Sequence, residues 1–147
     1  MTEMDIERFV EAQDSEYSGY AQALQEMQEG AKHGHWIWYI FPQLRGLGHS
    51  GNANFYGIED LQEAREYLKH PVLGARLREI TEVALGHADD RLAIELMGSE
   101  IDVLKLKSSM TLFDKACPND IFSDMLDAFF DGERCRRTLQ ILGRSTF

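Results

Sequence analysis

The 147-residue sequence is short of cysteine, of proline and of unbroken apolar chain. Its two cysteines, Cys117 and Cys135, form no CxxC pair and cannot frame a disulfide scaffold at this size, so they read as free thiols of a reducing compartment. Three prolines and no Ser/Gly-rich tract leave no place for a linker, and one globular domain over residues 1–147 is expected. The longest apolar run is the six residues 36–41, where a membrane-spanning helix needs about 20. Residues 1–16 hold six acids and one arginine, the opposite of a secretory leader, so a soluble cytoplasmic protein is the reading. Basic residues are also scarce, 15 against 25 acids, for a net charge of −10. Nucleic-acid coating is driven by Lys and Arg displacing counterions from phosphates, and this balance excludes it for the surface as a whole.

What is present is a core. Hydrophobic residues make up 44% of the chain and aromatics 10%, which excludes a disordered segment. Apolar positions recur at helical spacing nearly throughout. The pattern predicts helices over 6–13, 17–27, 58–68, 73–84, 92–97, 99–113, 121–130 and 134–142. Ser15 and Ser99 read as amino-terminal caps, and Gly30, Gly98 and Gly132 as ends. An all-α, compact multihelical domain of seven or eight short helices follows. The aromatic run 36–41 is the exception: every residue is apolar, so periodicity cannot choose between a buried strand and a buried helix.

Charge is distributed unevenly. Residues 1–31 carry eight acids and one base, whereas residues 32–58 carry no acid, two bases and three of the five histidines. Within that acid-free stretch, Arg45 suits a carboxylate or phosphate, and Gly46 and Gly48 permit close backbone approach. Trp36, Gln43 and Ser50 complete a candidate ligand-binding set, with His35 and His49 as candidate proton carriers. A second candidate lies on the helix over 99–113, where Asp102, Lys105 and Ser109 fall on one face and Ser108 flanks them. Lys105 is a candidate to hold negative charge, and Ser108 and Ser109 to bind ligand. Neither His33-x-His35 nor the row Asp120, Asp124, Asp127 and Asp131 has metal-site spacing; the row reads as a solvated helix face, with the arginines at 134, 136 and 137 neutralising it. No metal or cofactor is expected.

The motifs Arg8-Phe9-Val10-Glu11-Ala12-Gln13, His35-Trp36, Phe41-Pro42-Gln43, Gly46-Leu47-Gly48, His70-Pro71 and Ser108-Ser109-Met110-Thr111-Leu112-Phe113 together resemble the domain-of-unknown-function family numbered 1810. The resemblance spans nearly the whole chain and implies a compact multihelical domain; it brings no catalytic residues. One position departs from it: Cys135 stands where that family usually has an Asp shortly before Arg-Thr-Leu. Two functions are therefore expected to compete. The first is binding of a small anionic or phosphorylated ligand between residues 35–50 and the Lys105–Ser109 helix, extending to hydrolysis or transfer on a nucleotide- or sugar-phosphate-like substrate. The second is a non-enzymatic module whose acidic surface meets a basic protein partner.

Overall fold

A computed structural model describes residues 5–144 of the chain. Among them are ten helices: α1 (Glu7–Gln13), α2 (Tyr20–Glu29), α3 (Ile37–Ile40), α4 (Gly51–Phe55), α5 (Leu61–Lys69), α6 (Leu73–Leu85), α7 (Ala93–Met97), α8 (Glu100–Ala116), α9 (Ile121–Phe130) and α10 (Arg136–Arg144). The class is all-α, with two helices more than the upper expectation. Both additions, α3 and α4, fall in the acid-free segment. In the aromatic run the backbone turns helical because Trp36, Ile37, Ile40 and Phe41 are buried while Trp38 and Tyr39 are only half-buried. That is a helical spacing hidden inside a uniformly apolar sequence.

α8 is the axis of the domain, packing against α3, α5, α7, α9 and α10. From Leu106 onward it is buried on several sides: Leu106, Met110, Leu112 and Phe113 are inaccessible to solvent. Phe113 stacks between Tyr67 of α5 and Phe122 of α9, and Tyr67 stands edge-on to Phe9 of α1. These rings tie four helices into one core. Burial pushes the Tyr67 phenol well above its usual range, and Gln13 bonds it. No helix of the described residues is long and apolar enough to cross a membrane.

Helix ends follow local chemistry, with some differences from expectation. Gly30 and Gly98 close α2 and α7 in the left-handed conformation, and Ser99 caps α8 by accepting from Asp102 N. Ser15 does not cap α2, which starts after Gly19; the Ser15 hydroxyl is turned onto Tyr17 instead. Asp131, not Gly132, takes the left-handed cap of α9. α5 begins at Leu61 behind an Asp60 cap, because Ile58 is occupied in an isolated parallel bridge with Leu44. The inward face of α5 is Ala64 and Tyr67, with Arg65 exposed.

Candidate functional site

The site is built on a carboxylate pointing inward from α2. Glu26 is buried, and its Oε1 accepts from His33 N at 2.8 Å, Gly34 N at 2.9 Å and Trp36 Nε1 at 2.8 Å, while Oε2 accepts from Gln22. Burial opposes ionisation, but the hydrogen bonds from Gly34, His33, Gln22 and Trp36 outweigh it and hold the carboxyl at about 2. A side chain at Gly34 would meet Gln22 and Trp36 below 3 Å, so this wrap needs glycine. Lys32 lies alongside, its Nζ donating to Gly34 O and pairing with Asp102 at 2.7 Å, 4.9 Å from the Trp36 ring centre. Residues 32–36 are thereby pinned to α2 and α8.

The chain then leaves α3 into a closed loop. The Leu44–Ile58 bridge fastens its two ends, with Arg45 N on Ile58 O and Ile58 N on Gln43 O, each at 2.8 Å. Arg45 spans the loop to Asn54 O and Gly57 O, and Ser50 caps α4 by accepting from Ala53 N. The buried Arg8 of α1 reaches Phe55 O and Gly57 O and pairs with Glu63 at 3.1 Å, locking the loop onto α1 and α5.

One side of this loop faces α8, and α10 closes the other side of a cleft. The cleft holds about 460 Å³ and is lined by Gln43, Leu47 and Gly48 from the loop, by Ile101, Leu104, Lys105, Lys107 and Ser108 from α8, and by Cys135, Arg136 and Arg137 at the start of α10. A hydrogen bond between Ser108 Oγ and Thr138 Oγ1, 2.9 Å apart and buried, seats α10 on α8, and Thr111 Oγ1 accepts from Cys135 N. Among the described residues, four cationic side chains and no carboxylate line the cleft of a chain whose net charge is −10. Lys105 lies 4.7 Å from the Trp38 ring centre and 3.9 Å from Asp102, which Lys32 engages more closely. Lys107 pairs with the exposed Glu133 at 3.1 Å. Among the described residues, neither Arg136 nor Arg137 has an ion-pair partner.

Of the residues singled out from sequence, Gln43, Gly48, Lys105 and Ser108 meet in this cleft. Trp36 is wholly buried and bonded to Glu26. Arg45 is engaged with backbone carbonyls, and Ser50 serves as a helix cap. Gly46 takes φ +103° beside Ile141. His35 and His49 are exposed and do not line the cleft. Ser109 is buried in α8, its hydroxyl without a hydrogen-bond partner among the described residues. Lys107, Arg136, Arg137 and the aliphatic wall were not anticipated. The signal that could have found the arginines is the one that marked residues 32–58: residues 134–147 contain no acid and four arginines.

No group of three or more His, Cys, Asp or Glu side chains among the described residues could hold a metal ion. Asp120 instead pairs with Arg78 at 2.9 Å, and the Ile121 N–H, with Arg78 and Cys117, holds its carboxyl below the usual range against the cost of burial. Arg134 turns to Asp114, at 3.2 Å, rather than to the row.

The architecture is thus an all-α single domain with a buried aromatic and polar cluster beside a cationic cleft. The chain belongs to the family described as Protein of unknown function (DUF1810), whose model matches residues 3–142. It is similar to a solved structure, the conserved hypothetical protein Rv1873 from Mycobacterium tuberculosis: 43% identity over 97% of this chain and 99% of that one, with a TM-score of 0.88. No curated protein matches it.

Proposed function

We propose that this protein binds a small anionic molecule, phosphorylated or carboxylated, in the cleft between residues 43–48, α8 and the start of α10. The observation that carries the reading is the charge of the wall: Lys105, Lys107, Arg136 and Arg137 with no acid, on an otherwise acidic protein. The volume, about 460 Å³, is that of a small-molecule site. Gln43 adds a polar group at the wall, and guanidinium forks suit the planar oxygens of phosphate and carboxylate. The candidate proton carriers His35 and His49 are not lining residues, so the proposal is of binding rather than of hydrolysis or transfer. Cys135 forms part of the same wall.

The test is a thermal-shift screen of nucleotides, sugar phosphates and carboxylates, followed by calorimetry on the wild type and an Arg136→Ala/Arg137→Ala variant. Both arginines are exposed, so the variant should fold. A ligand whose affinity drops ten-fold or more in the variant, and weakens as salt shortens the Debye length, is the expected result. A panel without any shift, or a shift the variant leaves unchanged, overturns the reading.

A further inference from the structure

The wall of the cleft is not uniform along its length. α8 presents Ile101, Leu104, Lys105 and Ser108 at i, i+3, i+4 and i+7, one stripe running about 10 Å down the helix. Its two ends differ in kind. At the Ser108 end, the Ser108–Thr138 hydrogen bond brings in the first turn of α10 with Arg136 and Arg137. At the other end stand Ile101 and Leu104, 66% and 64% exposed, with Leu47 of the loop lining the same cleft. Two large aliphatic side chains a helical turn apart are left in water although each would gain from cover.

We propose that the ligand of this cleft is an anionic amphiphile of small-molecule size, its head held by Arg136 and Arg137 with Lys107 nearby, its apolar tail or ring laid along Leu47, Ile101 and Leu104. The inference rests on the anion-binding reading above and adds the second half of the ligand. A bare anion would use the cationic end and leave the aliphatic stripe wet. A purely apolar molecule would leave two arginines without a counter-charge. A molecule carrying both characters, ordered along the axis of α8, fits both ends of the stripe. The cleft volume selects a single molecule over a folded partner.

The experiment titrates the full chain with inorganic phosphate and with methyl, butyl, hexyl and octyl phosphate, each kept below its aggregation threshold, and follows binding by calorimetry. Affinity is expected to rise about two- to four-fold per added methylene, the factor that burial of a CH₂ group supplies. Leu104→Asn, at an exposed position, should flatten that series while inorganic phosphate binds as before. Phosphate binding with no dependence on chain length overturns the amphiphile and leaves the anion site standing. Failure of every member to bind overturns the anion reading itself, and this inference with it. A steep series unchanged by Leu104→Asn places the tail elsewhere and also refutes the proposal. Sedimentation of the same two proteins completes the test: a wild-type dimer that Leu104→Asn dissolves would assign the stripe to a second copy of the chain.

Discussion

Replacing Glu26 by Gln keeps the shape of the side chain and removes its charge. In the wild type, one oxygen collects three N–H donors from His33, Gly34 and Trp36. The carboxyl is held at about 2 against an ordinary 4.5, and that difference favours the ionised folded state by roughly 3 kcal/mol. Because the folded value lies below the unfolded one, the stabilisation is fully present above the unfolded value and is lost as pH falls toward the folded value. Glu26→Gln imitates the protonated group at every pH. At pH 7 it should be less stable by roughly 3 kcal/mol, a fall in melting temperature of about 6–12 °C for a chain of this size. The gap between the two proteins should then close as pH drops from about 5 toward about 2, the interval in which the wild-type carboxylate is lost. Urea denaturation followed by tryptophan fluorescence at several pH values measures this directly, since Trp36 is one of the donors. Two proteins that melt together at pH 7, or a gap that stays constant through the acid range, would refute the charge-based account of this wrap. Glu26→Ala, which strands all three donors, should lose more stability than Glu26→Gln under every condition.

Four further outcomes follow from the packing and the cleft. Arg8→Met removes the ion-pair partner of Glu63 and the side-chain donor to Phe55 O, and should cost about 3–5 kcal/mol in urea denaturation; adding Glu63→Met should return part of it by removing the abandoned charge. Gly74→Ala would set a methyl 2.1 Å from Leu68 O, forcing α5 and α6 apart at a cost of about 1–3 kcal/mol by thermal melting. Gly51→Ala, with open space at its Cβ, should instead be neutral or stabilise by up to about 1 kcal/mol. In a Cys117→Ser background, maleimide labelling of Cys135 should slow when octyl phosphate is bound, because Cys135 lines the cleft; an unchanged rate counts against occupancy there.

Eight of the helices could be read from the spacing of their apolar residues, α8 included although it is buried on several sides from Leu106 onward. α3 escaped because its half-buried positions, Trp38 and Tyr39, are as apolar as its buried ones. α4 escaped for the opposite reason: it has no buried residue at all and stands on the Ser50 cap. Ser50 and Arg45 were counted as ligand donors from their chemistry, yet the closed loop consumes both internally. Glu26 reads in sequence as one more acid on an amphipathic helix; its partners lie seven to ten residues onward on irregular backbone, a distance that no helical pattern reports. The cleft was half visible. Lys105, Ser108, Gln43 and Gly48 stand out in the sequence by residue type and spacing, whereas Arg136 and Arg137 read there as counter-charges to the α9 acids. Which of two nearby elements a basic run faces is decided by tertiary packing, and here the Ser108–Thr138 contact decides it.

The division of the cleft between two helices has a thermodynamic consequence. Its aliphatic stripe belongs to α8, the most securely packed helix, whereas its arginines ride on α10, which rests mainly on α8. Local opening of α10 therefore dismantles the cationic end without unfolding the core, and any molecule that bridges the two helices acts as a clamp on that opening. Amide exchange in α10 would slow in proportion to ligand saturation while exchange in the core half of α8 stayed the same. Occupancy of the cleft would then be recorded in the motion of the last helix rather than in the shape of the domain.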